Sequence, residues 1–194
     1  MQKQFGMPPD LHIPIAARNK EAITAYIGKV DEIFQNSSNA FLVTPYEIPP
    51  QNNKLPIWEV DGVELLHLPK QVWVKVDYTR YRKAYCKAFP EHDFGKQVID
   101  HVMNRRVARL KGFEYLRVIP VSRAVNSSSG KITEKYGFEY HNTERVKKIY
   151  SEKQAFIQYC EMADLVKMLN IKTGGKFQEG INEVLYYFFE KKGA

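Results

Sequence analysis

The sequence predicts an α+β fold, with an antiparallel sheet or meander, flanking helices and a helical C-terminal part. Three observations lead to this prediction. Short runs of β-branched and aromatic residues are separated by turn residues, which is typical of antiparallel strands. Other stretches repeat their apolar residues every three or four positions, as amphipathic helices do. The chain has 194 residues, 44% of them hydrophobic, and a chain of this length buries roughly 70% of its unfolded surface.

The N-terminal part contains the first predicted helix and strand. Apolar residues at helical spacing predict a helix over Asn19–Gln35, with Asn19 as its N-cap. Phe41–Thr44 is predicted to be a short strand. The prolines and asparagines of Pro45–Pro56 predict a loop.

Three strand-like runs and a helix follow this loop. The runs are Ile57–Val60, Val63–Leu68 and Gln71–Val76, and Asp61-Gly62 between the first two is a two-residue hairpin signal. These runs predict an antiparallel meander. Tyr78–Phe89 repeats its tyrosines at helical spacing and predicts a helix.

The central part alternates between strands and helices. Val98–His101 is predicted to be a strand, and Val102–Lys111 is predicted to be a helix that stops at Gly112. Phe113–Val121 alternates as a strand does, and the polar residues of Ser122–Gly130 predict a loop.

The C-terminal part is predicted to be helical. A short helix is expected over Ile132–Tyr136, a long one over Glu144–Leu169 and an amphipathic one over Gln178–Lys192. We expect residues 1–142 to form one mixed α/β domain and residues 143–194 to pack on it as a helical part.

The composition argues against an exported or membrane protein. The first fourteen residues lack the apolar core of a signal peptide, and no apolar cluster approaches the roughly 20 residues of a membrane span. Cys86 and Cys160 form no Cys-x-x-Cys pair, and two cysteines are too few for a disulfide scaffold. We therefore expect a cytoplasmic protein with no membrane partner.

The positive charge is concentrated in the middle of the chain. The net charge is +7, and residues 96–148 contain twelve basic and five acidic residues, so the remainder is neutral. A local excess of this kind is typical of surfaces that bind the phosphates of nucleic acid. The basic residues expected to contact nucleic acid are Arg105, Arg106, Arg109, Arg117, Arg123 and Lys131.

The same segment contains side chains suited to hydrolysis, namely Asp100, His101, Asn104, Asn126, Glu134 and His141. They lie in the stretch VIDHVMNRRVARLKGFEYLRVIPVSRAVNSSSGKITEKYGFEYH, residues 98–141. In its order of side chains, this stretch resembles the HNH, or ββα-metal, nuclease family. In that family a histidine beside an acidic residue ends a strand, an asparagine follows in a loop, and a final histidine comes from a helix.

The resemblance implies a metal-dependent nuclease acting on DNA or RNA. His101 would be the general base, Asn126 would orient it or fix its loop, and Asp100 and His141 would bind a divalent Mg, Mn, Zn or Ni ion. Histidine titrates near neutral pH, as a base that deprotonates water requires. A divalent cation stabilises the charge that develops on the phosphate. Such a site requires these four side chains to converge within roughly 4–8 Å.

Two other interpretations stay open. The chain could be a non-catalytic, basic nucleic-acid-binding protein, or a partner-binding or assembly protein of a phage or multi-protein complex with incidental charge. His101 would then be a hydrogen-bonded histidine at the end of a strand. A metal requirement separates the nuclease from the binding protein. Salt-sensitive affinity for nucleic acid separates the binding protein from the assembly protein, because counterion release makes that affinity fall with salt.

Overall fold

An antiparallel sheet with helices packed on it forms the fold, which confirms the predicted α+β class. A computed structural model describes residues 13–46, 70–129, 135–152, 154–172 and 179–182. The strands are β1 (Pro14–Ala17), β2 (Gly28–Glu32), β3 (Ala40–Pro45), β4 (Gln71–Lys75), β5 (Gln97–His101), β6 (Tyr115–Ser122) and β7 (Ile157–Tyr159). The helices are α1 (Lys20–Tyr26), α2 (Tyr81–Ala88), α3 (Arg105–Lys111), α4 (Arg123–Ser129), α5 (Lys135–His141), α6 (Glu144–Glu152) and α7 (Met162–Met168).

Strand β6 is the element around which the sheet is organised. The strand order is β2-β3-β4-β6-β1-β7, and β5 pairs with β6 outside this path. On one edge of β6, Leu116 pairs with Ala16 of β1 and Val118 pairs with His101 of β5. Strand β4 pairs along the other edge. Strands β1 and β5 therefore lie end to end along β6, and β5 ends at their junction.

Local signals predict the elements near β6 correctly. The confirmed strands are those predicted at Phe41–Thr44, Gln71–Val76, Val98–His101 and Phe113–Val121, and the confirmed helices are those at Tyr78–Phe89 and Val102–Lys111, with boundaries shifted by up to three residues. Gly112 ends α3 with a φ of 76°, in the left-handed region that glycine adopts without steric cost.

The predicted helix Asn19–Gln35 is wrong over its second half. Asn19 does cap the helix, because its side chain accepts a hydrogen bond from Ala22 N, but α1 ends at Tyr26 and β2 follows. A Cβ atom at Gly28 would lie 2.1 Å from the carbonyl oxygen of Thr44. Glycine at this position therefore allows β2 to pair closely with β3, and this pairing overrides the helical spacing.

The long helix predicted over Glu144–Leu169 is also wrong. It is divided into α6, β7 and α7, and β7 pairs antiparallel with β1. Ile157 is buried in the cluster under α1, while Phe156 beside it is 54% exposed. The alternating burial and the open edge of β1 favour a strand here, and β7 thus joins the same sheet.

The polar loop predicted over Ser122–Gly130 is replaced by helix α4. Ser122 Oγ accepts a hydrogen bond from Val125 N, and Val125 is buried, so a serine cap and one buried valine hold a short helix in a polar sequence. The short helix expected at Ile132–Tyr136 lies partly outside the described residues, and α5 begins at Lys135.

Other predicted elements fall on residues that the structure does not describe. These are most of the loop Pro45–Pro56, the hairpin strands Ile57–Val60 and Val63–Leu68, and most of the helix Gln178–Lys192, of which residues 179–182 are helical. Among the described helices, none is long and apolar enough to cross a membrane.

Two hydrophobic clusters meet at β5 and position its last residues. Ile99 belongs to the cluster that includes Tyr85 of α2, whereas Val98 packs against the cluster that includes Val107 of α3 and Leu165 of α7. Side chains alternate along a strand. Asp100 is therefore directed toward α7, and His101 toward α2.

Candidate functional site

A cavity of about 810 Å³ lies beside the end of β5, and we call it the basic pocket. Asp100 and His101 of β5 line it together with Asn126 of α4. The exposed arginines of α3 also line it, and these are Arg105, Arg106 and Arg109. The structure thus brings three of the four predicted catalytic and metal residues to the same pocket as three predicted nucleic-acid contacts.

His101 is buried at the wall of this pocket. It is 5% exposed, and its ring centroid lies 4.4 Å from that of Tyr81, the first residue of α2. Its Nε2 atom is buried and has no hydrogen-bond partner among the described residues. Its Nδ1 atom lies 3.9 Å from Asp100 Oδ1, too far for a hydrogen bond. His101 is therefore held by packing against Tyr81.

Asp100 is paired with a lysine from α7. Lys167 Nζ donates a hydrogen bond of 2.7 Å to Asp100 Oδ2 and one of 2.6 Å to the carbonyl oxygen of His101. The Lys167 side chain is 8% exposed and that of Asp100 is 20% exposed. One lysine therefore neutralises Asp100 and fixes the backbone at the end of β5.

The surroundings favour a charged Asp100 and a neutral His101. Burial alone would raise the pKa of Asp100, but interactions with His101 and Lys167 hold it well below its ordinary value. Burial lowers the pKa of His101; Asp100 opposes this shift, and the charges of Arg105 and Lys167 add to it. The imidazole is therefore neutral at pH 7, and the Asp100 carboxylate near Nδ1 favours a proton on that nitrogen.

Helix α3 presents its arginines because of its capping and its apolar face. Asn104 Oδ1 accepts hydrogen bonds from Arg106 N at 2.8 Å and from Val107 N at 3.3 Å, so Asn104 starts the helix. Val107 and Ala108 are buried. Since these two residues face the core, the arginines beside them in sequence are turned toward the pocket and solvent.

Helices α4 and α5 also contribute to the pocket lining. Asn126 comes from α4, a helix where the sequence predicted a loop, and Phe138 and Glu139 come from α5. The Arg106 guanidinium lies 5.6 Å from the centroid of the Phe138 ring. These helices therefore add an aromatic ring, an amide and a carboxylate to the lining that contains the arginines.

His141, the second predicted metal ligand, lines a different cavity. It ends α5 and lines a space of about 130 Å³ together with Lys111 and Asp164. Its Nδ1 atom is hydrogen-bonded to the Tyr150 hydroxyl. Burial lowers the pKa of His141, and the charge of Lys111 lowers it further. His141 thus has its own partners, apart from Asp100 and His101.

The residues that the structure describes do not fit the metal centre that the HNH resemblance implies. Asp100 is engaged by Lys167, and His141 lines the second cavity. Within the described ranges, no group of three or more histidine, cysteine, aspartate or glutamate side chains could hold a metal ion. Glu134 lies outside these ranges. We therefore assign no metal to the basic pocket.

Of the other expected nucleic-acid contacts, Arg117 and Arg123 do not line the pocket. Arg117 is 1% exposed in β6, so the expectation that it contacts nucleic acid is corrected: a side chain inside the sheet core cannot reach a phosphate on the surface. Burial lowers its pKa to about 10, which leaves it charged at neutral pH. Arg123 is exposed at the start of α4, and Lys131 lies outside the described residues.

Several residues in or beside the pocket were not predicted from the sequence. Tyr81 was assigned to a helix by its spacing, but nothing indicated its contact with His101. Lys167 lies 67 residues from Asp100, and no local pattern connects the two. Phe138 and Glu139 lie within the HNH-like stretch but match no position of that motif. Only the fold brings these residues together.

Comparisons of the chain with protein-family models, with curated proteins and with solved structures found no match.

Proposed function

We propose that this protein binds nucleic acid through the basic pocket, with its arginines donating hydrogen bonds to backbone phosphates. One observation carries the proposal. Three arginines of one helix line the same concave surface as a buried histidine and an asparagine. Arginine presents planar, charged donors that match phosphate oxygens, and such contacts supply most of the affinity for nucleic acid.

Each arginine is available for a ligand. Arg105 is exposed and makes no ion pair with a described residue. Arg106 lies over Phe138, an arrangement that leaves the N–H groups at the edge of the guanidinium free to donate. Arg109 pairs with Asp77, whose side chain is 74% exposed. Exposed ion pairs contribute about 1 kcal/mol or less, so a phosphate can replace this carboxylate.

The charge balance of the pocket also favours an anion. The Asp100 carboxylate is offset by Lys167, and neutral His101 adds no charge. Among the described residues, Glu139 is the other carboxylate on the lining, which also includes three arginines. The pocket therefore keeps a positive excess at neutral pH, which attracts phosphates at low salt.

Charge reversal at α3 tests the proposal directly. The affinity of fluorescein-labelled oligonucleotides is measured by fluorescence anisotropy from 25 to about 300 mM salt, for single strands and duplexes. We expect R105E/R106E to weaken binding at least tenfold. We also expect its log–log salt slope to become shallower by about 1.4 for a single strand, since each lost phosphate contact removes about 0.7.

A matched variant distinguishes an effect of the pocket arginines from an effect of the net charge. Lys29 and Lys70 are exposed and line neither cavity. K29E/K70E changes the net charge by the same amount as R105E/R106E. If both double variants lose the same affinity for the oligonucleotides, net charge explains the loss and a specific role for α3 is refuted. Binding by neither wild type nor variants would favour the assembly-protein interpretation.

A second candidate function is phosphodiester hydrolysis with His101 as general base, as the HNH resemblance predicts. The observation in its favour is that a neutral histidine, with no partner for Nε2 among the described residues, lines the pocket that contains the arginines. A neutral imidazole can accept the proton of an attacking water. Asn126 lines the same pocket, so it remains the candidate for orienting that base.

A further inference from the structure

We propose that the basic pocket takes an unpaired nucleotide, so that the protein prefers single-stranded to double-stranded nucleic acid. This inference rests on the proposed function and names its substrate class. It depends on the groups that line the pocket besides the arginines, and on the concave shape of the site.

The pocket contains acceptors that a phosphate does not use. Glu139 presents a carboxylate, and Asn126 presents an amide oxygen. A carboxylate repels phosphate but accepts hydrogen bonds from the N–H groups of bases. The lining is thus suited to a ligand with an anionic part for the arginines and a neutral donor edge for Glu139. A nucleotide has both parts.

Base pairing and the shape of the site exclude a duplex base from these acceptors. In a duplex the Watson–Crick edges are paired, and the remaining donors lie on the floor of a groove that a protruding helix must enter. Here the acceptors line a cavity of about 810 Å³, within the range of pockets that enclose small ligands. A base reaches Glu139 by leaving the stack and entering the cavity.

An aromatic surface is available to replace the lost base stacking. Phe138 is half-buried on α5, and the guanidinium of Arg106 lies 5.6 Å from the centroid of its ring. Unpaired bases stack on aromatic rings and on guanidinium planes. Phe138 and Arg106 together therefore offer a platform for the base, with Arg105 beside Arg106 for the adjoining phosphate.

Two variants in α5 test this inference. The ligands are a labelled 12-nucleotide single strand, as DNA and as RNA, and a duplex that contains the same sequence. Wild type is expected to bind the single strand at least tenfold more tightly than the duplex. F138L is expected to weaken single-strand binding roughly 5- to 150-fold, the range for the loss of one stacked base, and to leave duplex binding within twofold.

E139A removes the acceptor at an exposed position, so it keeps the test valid even if F138L folds poorly. It is expected to reduce the single-strand to duplex preference at least fivefold. The matched control is Tyr140, which is 65% exposed on the same helix and does not line the pocket. Y140L and Y140A are expected to bind as wild type does.

The outcomes separate this inference from the proposed function. Equal binding of single strand and duplex, with F138L and E139A unchanged, overturns the inference. If R105E/R106E still loses affinity in that case, phosphate binding stands without base insertion. If no oligonucleotide binds even at 25 mM salt, both proposals fail.

Discussion

Lys167 donates hydrogen bonds to the carboxylate of Asp100 and to the carbonyl oxygen of His101, which joins α7 to the end of β5. Val118, opposite His101, lies two residues from the pairing between β6 and β1. The lysine therefore stabilises the chain at the point where pairing along β6 changes from β1 to β5. This contact also orients the wall of the basic pocket.

We expect D100A to lower the free energy of unfolding by roughly 3–5 kcal/mol, because it leaves the buried ammonium of Lys167 without its counter-charge. Urea unfolding at pH 7 measures the loss. In the double variant D100A/K167M neither charge remains, so it is expected to recover part of this stability.

The pair between Arg109 and Asp77 provides the control for D100A. It also joins an aspartate to a basic side chain, but the two side chains are 46% and 74% exposed. D77A is expected to cost less than about 1 kcal/mol. If D100A and D77A lose similar amounts of unfolding free energy, burial does not determine how much the Lys167–Asp100 pair contributes to stability.

The lowered pKa of His101 predicts a pH-dependent stability. An unfolded histidine has a pKa of about 6.5, and burial lowers that of folded His101. The unfolded state therefore binds a proton first, so His101 stabilises the fold fully above pH 6.5 and loses this contribution as the pH falls below it. We expect H101Q to have a shallower decrease in unfolding free energy between pH 7 and pH 5.

The control variant is H92Q, which removes an exposed histidine that does not line the pocket. The profile is obtained from urea unfolding at half-unit pH intervals. A wild-type profile in H101Q would contradict a lowered pKa at His101.

The second candidate function makes a prediction about H101A. Loss of a general base lowers a rate roughly 10²- to 10⁴-fold, while affinity for the phosphate backbone is unaffected. We expect oligonucleotide affinity within twofold of wild type and cleavage reduced by at least 100-fold. A gel assay with Mg, Mn, Zn or Ni ions, or with EDTA, measures cleavage of DNA and RNA.

A thermal melt of H101A distinguishes catalysis from packing, because His101 also packs against Tyr81. Activity that falls only in step with the folded fraction would assign His101 a structural role. No cleavage by wild type under any of these conditions would eliminate the second candidate and leave nucleic-acid binding.

Helix α3 is expected to depend on its cap. N104A removes the acceptor for Arg106 N and Val107 N and should cost roughly 0.5–2 kcal/mol. N104S retains a good capping side chain and should stay within about 0.5 kcal/mol of wild type. Thermal unfolding compares the two, and equal destabilisation would mean that the amide acts through contacts other than the cap.

The sequence determined the elements whose signals are local. Apolar spacing and the glycine stop at Gly112 predicted α3 from within about ten residues, although its start at the Asn104 cap was not predicted. Alternation likewise identified β6, and β5 was predicted within one residue of its bounds. These predictions are correct because caps, glycine stops and apolar periodicity act over one or two turns of chain.

Tertiary structure decided between helix and strand where the local signals were ambiguous. Residues 28–32 and 157–159 have helical spacing in sequence, yet they are strands because β3 and β1 offer them open edges. A strand gains its hydrogen bonds from another part of the chain, so its neighbour must be known before it can be predicted.

The candidate site depends both on local sequence signals and on tertiary structure. The proximity of Asp100, His101 and the arginines of α3 follows from sequence, since they lie within ten residues. The place of His141 in the second cavity, the burial of Arg117 and the contact between Lys167 and Asp100 follow from the fold alone. Long-range side-chain contacts leave no periodicity in the sequence, because they depend on how distant elements pack together.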